Sequence, residues 1–117
     1  MSVKTNGAEY KAYINEQSAK WWPDGAYMDD SVLNVNGVEI GEDNFDFDPG
    51  KLEDSDAVSI ICGSYYISPD DRDPISLEAH FKRWRKAQTT VRILVEVHKD
   101  KLESLKDVIK ANSGKVL

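Results

Sequence analysis

The side chains best suited to covalent chemistry in this chain are one thiol and two imidazoles. Cys62, His80 and His98 are of the types that act as nucleophile and general base. Cys62, however, lies in the most apolar stretch of the sequence, where an unpaired cysteine usually packs as a small buried hydrophobe. His80 falls beside an apolar helical stripe, and His98 is followed by Lys99. The sequence therefore predicts no catalytic residue and a protein that is not an enzyme.

Oxygen ligands are plentiful, but their spacing matches no metal-binding loop. The stretch from Asp24 to Asp56 holds 11 carboxylates and one lysine, and carboxylates of this kind suit Ca²⁺ or Mg²⁺. An EF-hand that began at Asp46 would need glutamate where Ala57 stands. One cysteine and two histidines are too few for a structural zinc site, and the seven glycines form no phosphate-binding loop. We therefore expect no metal and no cofactor.

Charge is divided unevenly along the chain, and this asymmetry is its most informative feature. Residues 1–79 contain 17 acidic and 5 basic residues, whereas residues 80–117 contain 4 acidic and 10 basic residues. Such a field steers and selects charged partners. The formal net charge of −6 disfavours direct binding of nucleic acid by the molecule as a whole. The favoured partner is therefore a basic protein surface, such as that of a nucleic-acid-binding protein.

The acidic stretch and an adjacent tryptophan pair supply the predicted contact residues. Carboxylates two positions apart on a strand lie about 6.5 Å from each other, which is similar to the spacing of phosphates along a nucleic-acid strand. Two neighbouring tryptophans cannot both face one core, and exposed tryptophan is enriched at binding hot spots. The predicted contact residues are Trp21, Trp22, Asp29, Asp30, Asp43, Asp46 and Asp48. This pattern favours a non-enzymatic acidic binding module, for example an inhibitor or nucleic-acid mimic of the phage-encoded or immunity type.

A basic helix provides the alternative function. Residues 74–88 are predicted to form a helix in which Lys82, Arg83 and Lys86 lie opposite an apolar stripe. Arg92 follows on the next predicted strand. Such a patch suits phosphates or an acidic partner surface. The alternative is therefore a nucleic-acid-associated or structural assembly module that uses this helix.

Turn signals organise the first two-thirds of the chain. Asn36-Gly37 between two apolar alternations predicts a tight hairpin. For residues 3–20 two interpretations are open: a second hairpin around Asn6-Gly7, or a helix with Asn6 and Glu9 as a capping box. We favour the hairpin.

Two further strands are expected before the basic helix. The period-two pattern from Phe45 to Asp48 predicts a short strand that buries both phenylalanines. Residues 57–67 are rich in β-branched and aromatic side chains and predict a central strand, with Gly63 at a bulge.

The last third of the chain is expected to form a helix followed by a β-α-β unit. Asp73-Pro74 is a suitable helix start. Residues 90–98 alternate as a strand with one buried face, Asp100 precedes a helix that stops at Gly114, and residues 115–117 form a last strand. The predicted fold is one α+β domain over residues 1–117, with antiparallel hairpins in front and two helices packed on one face.

No apolar run approaches the roughly 20 residues of a membrane span, and the N-terminus has no basic start followed by an apolar stretch. A single cysteine agrees with a reducing compartment. We therefore expect a soluble cytoplasmic protein.

Overall fold

The chain folds as an α+β protein around one antiparallel sheet. The computed structural model describes residues 2–41, 43–44, 46–89 and 93–116. The strands are β1 (Val3–Asn6), β2 (Tyr27–Val35), β3 (Val38–Ile40), β4 (Ala57–Tyr66) and β5 (Ile75–Ser76). The helices are α1 (Gly7–Ile14), α2 (Leu77–Thr89) and α3 (Leu102–Ala111), with 3-10 turns at Pro49–Lys51 and Lys99–Lys101. These elements confirm the predicted α+β class.

Strand β4 lies at the centre of the sheet, as its apolar sequence predicts. The order is β1-β4-β2-β3, and β5 also pairs with β4. Strands β2 and β3 form the predicted hairpin, in which Val35 pairs with Val38. Asn36 and Gly37 form its turn with φ of 51° and 89°, so both adopt the positive φ that this tight turn requires.

The N-terminal segment is a strand followed by a helix, so the favoured hairpin is wrong. Asn6 caps α1, because its side-chain oxygen accepts a hydrogen bond from the Glu9 backbone N–H at 2.8 Å. Tyr10 and Tyr13 lie one turn apart on the inner face of α1 and are almost fully buried. Cap and burial together favour the helix, as the capping-box interpretation predicts.

Two irregularities interrupt the pairing of β2 with β4, and the first reverses the faces of the central strand. Ile60 pairs with Leu33 while Cys62 pairs with Val32, so Ile61 is an extra residue on β4. An extra residue inverts the inward and outward alternation of everything beyond it. Cys62 is consequently exposed, and the expectation that it is buried is wrong.

The second irregularity lies opposite Gly63, where the sequence predicts a bulge. Asp29 pairs with Ser64 and Val32 with Cys62, so two residues of β2 face this single glycine. Gly63 has φ of 153°, and a Cβ there would lie 3.0 Å from the Leu77 side chain. Only glycine lets the first turn of α2 approach the strand so closely.

Helix α2 begins at Leu77, three residues later than the predicted helix at 74–88. The Ser76 hydroxyl accepts a hydrogen bond from the Ala79 backbone N–H at 3.1 Å and thereby caps the helix in place of Asp73. The apolar stripe of α2 packs inward through Leu77, Phe81 and Trp84. The core comprises Val3, Tyr10, Tyr13, Leu33, Leu52, Val58, Ile60, Leu77, Phe81 and Trp84.

The strand predicted over residues 45–48 is absent from the described residues. The Asn44 backbone N–H donates to the Gly41 carbonyl at 3.1 Å, and the Phe47 N–H donates to the Asn44 carbonyl at 3.1 Å. These turns coil the chain, and Pro49 then starts a 3-10 turn. Phe47 still packs against the core, whereas Phe45 lies outside the described residues.

The C-terminal third forms its predicted helix α3 but neither predicted strand within the described residues. Residues 93–98 and 115–116 have no regular secondary structure, and residues 90–92 and 117 lie outside the description. The β4 edge that could accept a strand is occupied by β1 and β5, and β3 is only three residues long. Within the described residues the predicted β-α-β unit is therefore not formed, and the helix that packs on the sheet with α2 is α1 rather than the predicted C-terminal helix α3. The radius of gyration of 18.4 Å exceeds the roughly 13 Å of a compact domain of this size.

Candidate protein-binding surface

An apolar groove of about 300 Å³ opens between helix α1, strand β2 and the loop after β3. Met28, Leu33 and Ile40 come from the sheet, and Phe47 comes from the loop. The remaining lining residues are Tyr10, Ile14, Ser31, Gly41 and Pro49. A mostly apolar concavity of this size accommodates one or two side chains of a partner.

Each predicted carboxylate lies within two residues of one of these lining residues along the chain. Asp29 and Asp30 lie between Met28 and Ser31 of β2, and Asp43 lies two residues after Gly41. Asp46 and Asp48 flank Phe47. All five carboxylates are exposed. The structure thus places the acidic residues along the segments that form the groove.

The charge on the loop side of the groove is not neutralised within the part of the chain that the structure describes. Asp43 and Asp46 form no ion pair with any described residue. Asp48 accepts a hydrogen bond from the Gly50 backbone N–H at 2.9 Å, which leaves its charge in place. By contrast, Asp54 is paired with Lys11 at 2.9 Å. The loop therefore carries negative charge that no described residue neutralises.

On the strand side of the groove, the backbone of β2 is irregular at Asp30. Asp30 has φ of 55°, in the left-handed region that aspartate tolerates better than most residues. The Asp29 carboxylate accepts a hydrogen bond from the Asp30 backbone N–H at 2.9 Å. The thiol of Cys62 lies 3.8 Å from the Asp30 carbonyl oxygen. Bulges of this kind bend a strand and re-aim its side chains, and here the side chains affected are acidic.

A stacked tyrosine pair, which the sequence analysis did not identify, lies on the same pair of strands. The rings of Tyr27 and Tyr66 are parallel within 4°, with centroids 4.7 Å apart. The pKa of the Tyr27 hydroxyl is raised by desolvation and by the nearby Tyr66, Asp29 and Asp71. Two carboxylates, those of Asp29 and Asp71, therefore lie near this aromatic pair, of which Tyr27 is exposed and Tyr66 is half-buried. The only sign of this tyrosine pair in the sequence is that each of the two strands has a tyrosine near one end.

The two predicted tryptophans do not line the acidic groove. Trp22 is half-buried, and its indole N–H donates to the Tyr13 carbonyl at 2.8 Å, so its polar atom is committed inside the protein. Trp21 is also half-buried and lines a second cleft of about 360 Å³. Lys20 lies over the Trp21 ring at 5.3 Å. The role of Trp21 as an apolar anchor stays a prediction and would concern the second cleft.

The second cleft leads to a buried histidine at the centre of an aromatic cluster. Nδ1 of His80 lies 2.6 Å from the Tyr13 hydroxyl, and the Tyr65 ring stacks on the imidazole at 3.6 Å. Burial lowers the pKa of His80 to about 4, assisted by Arg83 and opposed by a hydrogen bond to the Trp21 backbone. The imidazole is consequently neutral at pH 7, and its principal contacts are structural.

Cys62 and His80 do not form a nucleophile and base pair in this arrangement. The Cys62 thiol is directed to the Asp30 carbonyl on the outer face, while the His80 imidazole is engaged by Tyr13 in the interior. Nucleophilic catalysis requires the two groups within hydrogen-bond reach.

The basic face of α2 is only partly available. Arg85 forms a bidentate ion pair with Glu9, at 2.6 Å from Nη2, and also donates to the Lys4 carbonyl at 2.8 Å. Although burial opposes the shift, hydrogen bonds from Arg85 and Thr5 lower the pKa of Glu9. Arg85 thus joins α2 to the N-terminal segment. The exposed cations of the face are Lys82, Arg83 and Lys86, as predicted.

Two other kinds of site are not seen in the described residues. No group of three or more histidine, cysteine, aspartate or glutamate side chains converges there as metal ligands would, and Glu42 of the acidic loop lies outside the description. No described helix has the length and apolar character needed to cross a bilayer.

Comparison with protein-family models, with curated proteins and with solved structures found no match to this chain.

Proposed function

We propose that this protein is a non-enzymatic binding module whose acidic groove engages a basic protein surface. The supporting observation is that each of the five predicted carboxylates is exposed and lies within two residues of a lining residue of one apolar groove. A lysine or arginine side chain suits this site, because its aliphatic stem packs on apolar surface while its charged head meets the carboxylates. A partner segment with an apolar residue flanked by basic residues fits the groove best.

The general character of the surface suits an inhibitor or nucleic-acid mimic of the phage-encoded or immunity type. Exposed carboxylates near a rigid strand imitate phosphate charge and attract a cationic groove over distances of about 8 Å at physiological salt. The lone cysteine agrees with a cytoplasmic setting, where thiols stay reduced.

The test begins with affinity capture of partners by the full chain, followed by binding kinetics across a salt series. Asp43, Asp46 and Asp48 are replaced together by asparagine. We expect association to slow about tenfold and its salt dependence to flatten, because exposed charge acts mainly on the association rate.

A charge-matched control separates local recognition from net charge. Asp24→Asn, Glu53→Gln and Asp70→Asn remove three exposed carboxylates that do not neighbour a groove-lining residue. This variant should bind nearly as the wild type does. Equal losses in both triple variants would show that only net charge matters and would refute the groove as the site.

The alternative function uses the exposed cations of α2. In the described residues Lys82, Arg83 and Lys86 form no ion pair with the acidic half, so their charge is available to phosphates or to an acidic partner. Replacement of these three residues by glutamate should leave binding to a basic partner largely intact. If that variant loses binding and the acidic-loop variant keeps it, the assembly or nucleic-acid-associated role replaces the primary proposal.

A further inference from the structure

The outer face of the sheet, opposite the helices, carries two tyrosines and a carboxylate. Met28 and Tyr65 are paired across β2 and β4 on the inner face, where Met28 packs against the core and Tyr65 is buried. Because side chains alternate along a strand, the adjacent pair of Tyr27 and Tyr66 lies on the outer face, and so does Asp29. Positions 27 and 29 are about 6.5 Å apart along β2, so the carboxylate is within reach of a group that stacks on the Tyr27 ring.

One face of the Tyr27 ring is left uncovered by its neighbour. Tyr66 stacks on one side of the ring, with centroids 4.7 Å apart and planes within 4° of parallel. On the side away from β4, no described strand pairs with β2 at this position, because β3 pairs only with residues 33–35. Tyr27 is accordingly 40% exposed. A planar group can therefore stack on its free side.

Two carboxylates make the surroundings of this ring negative. Asp71 is held at the end of β4, where its carboxylate oxygens accept hydrogen bonds from the backbone N–H groups of Ile67 at 3.1 Å and Asp73 at 2.9 Å. Asp29 shares the outer face with Tyr27. The pKa of the Tyr27 hydroxyl is raised by desolvation first and also by these two charges, which agrees with that placement. Neither carboxylate forms an ion pair with a described residue.

No cation from the described part of the chain lies over the tyrosine pair. The two cation–π contacts found there place Lys20 over Trp21 and Arg85 over Phe81. A cation placed over the face of an aromatic ring is attracted by the negative charge of the ring face, and a nearby carboxylate adds to that attraction. The outer face thus has the chemistry of a cation site and no described cation of its own.

We propose that the free face of Tyr27 and the Asp29 carboxylate bind an arginine side chain of the basic partner. A guanidinium is planar and weakly hydrated, so it can stack on the ring while the N–H groups at its edge donate to the carboxylate. A lysine ammonium is strongly hydrated and has no planar face. This inference rests on the proposed function, since it names the side chain that a basic partner presents on the sheet face opposite the groove.

A nucleobase is the other planar group that stacks on tyrosine in proteins. Its phosphates would be repelled by Asp29 and Asp71, and residues 1–79 as a whole carry 17 acidic and 5 basic residues. The charges around the ring therefore favour a guanidinium over a nucleotide.

Two synthetic peptides test this selectivity on the full chain without any partner protein. Both are capped pentapeptides of glycine, one with two arginines and the other with two lysines at the same positions, so their charge is equal. Titrations are followed by the NMR shifts of the Tyr27 and Tyr66 ring protons. The arginine peptide should bind at least about threefold more tightly than the lysine peptide.

Three variants separate the ring from the charge. Tyr27→Leu should bring the ratio of the two affinities to about one, whereas Tyr27→Phe keeps the ring and should keep the preference. Asp29→Asn retains an oxygen for the Asp30 backbone N–H, which donates to Asp29 at 2.9 Å, and should weaken the arginine peptide more than the lysine peptide. Glu39→Gln is the matched control, because Glu39 is exposed on β3, where it pairs with Asn34 away from the tyrosines, and it should leave the ratio unchanged.

The outcomes also distinguish this inference from the groove. Equal affinity for the two peptides, a preference that survives Tyr27→Leu, or larger shifts at Tyr27 with a short single-stranded oligonucleotide than with the arginine peptide would overturn it. Replacement of Asp43, Asp46 and Asp48 by asparagine should leave the arginine preference intact. If that triple variant also binds the partner protein as the wild type does, the groove is refuted and the arginine site stands. If it slows partner association while the peptides bind equally, the groove stands and the arginine site is refuted.

Discussion

His80 lies within a cage of aromatic rings and has one imidazole nitrogen bonded to the Tyr13 hydroxyl. Tyr65 covers one face of the imidazole, and Trp21 and Trp22 contact its edges. Tyr13 in turn has its pKa raised by burial, so both members of this hydrogen bond are neutral in the folded protein. A neutral polar pair inside an aromatic core is stable only while neither member is protonated or ionised.

Acid should therefore destabilise the fold through His80. The pKa of His80 is about 4 in the folded protein and 6.5 ordinarily, so between these values the unfolded chain binds the proton more readily. The free energy of unfolding should fall as pH is lowered from 6.5 to 4, by about 3 kcal/mol in total. Urea unfolding followed by tryptophan fluorescence at a series of pH values measures this slope.

The double variant Tyr13→Phe/His80→Phe serves as the control for that slope. It removes both partners of the buried hydrogen bond together, and the Trp21 carbonyl, which also bonds to His80, keeps the hydrogen bond from the Tyr65 hydroxyl at 2.6 Å. Glu9, whose pKa is lowered, loses its contribution as pH falls through its folded pKa in either protein, so the comparison cancels it. A slope as steep in the variant as in the wild type would show that His80 is not responsible.

At the scale of elements, the contact between β4 and α2 depends on Gly63. Its φ of 153° and the 3.0 Å separation of a built Cβ from Leu77 exclude any larger side chain without movement of the helix or strand. Gly63→Ala should lower the free energy of unfolding by about 1–3 kcal/mol. Chemical denaturation of the variant and wild type checks this value.

Gly41→Ala is the matched control for that substitution. Gly41 lacks positive φ, and the nearest atom to a built Cβ is Val32 Cγ2 at 4.0 Å. This variant should stay within about 0.5 kcal/mol of the wild type. If Gly63→Ala is equally neutral, the close packing of α2 on β4 is wrong.

Local sequence signals predicted those elements whose formation depends on nearby residues. The Asn36-Gly37 turn, the central strand and the inward stripe of α2 follow from turn chemistry and periodicity. Exposure of Cys62 does not, because the extra residue at Ile61 inverts the alternation and only cross-strand pairing reveals it. Residues 93–98 do carry the alternating pattern of a strand, but such a pattern indicates only a tendency to pair in a sheet. A strand forms only where a partner strand is available.

The acidic residues of the candidate surface could be predicted from the sequence, but the groove beside them could not. The exposed carboxylates could be named because charged residues in a polar stretch rarely find buried partners. The groove beside them forms from α1, β2 and the loop at Phe47, which come from separate parts of the chain. The environment of His80 could likewise not be predicted from the sequence, because Tyr13 and Tyr65 contact it from distant positions in the chain.

At the scale of the whole molecule, residues 2–89 contain all the described core residues and all the described strands. Residues 93–116, here called the C-terminal arm, contribute no buried residue, and the principal described contacts of α3 are with the 3-10 turn before it. A chain that ends at Thr89 should therefore keep the fold of the acidic part. Its near-UV circular dichroism, which reports the aromatic cluster, should match that of the full chain.

The thermal midpoint of the truncated chain should lie within about 3 °C of the full-length value, since a change of 1 kcal/mol shifts the midpoint of a domain of this size by about 4–8 °C. Leu77→Ala in the full chain is the positive control, because Leu77 is completely buried and its truncation should cost about 2–5 kcal/mol. Loss of the near-UV signal on truncation would mean that the arm packs on the sheet, as the β-α-β prediction required. Retention of that signal would show that residues 2–89 hold their core without the arm.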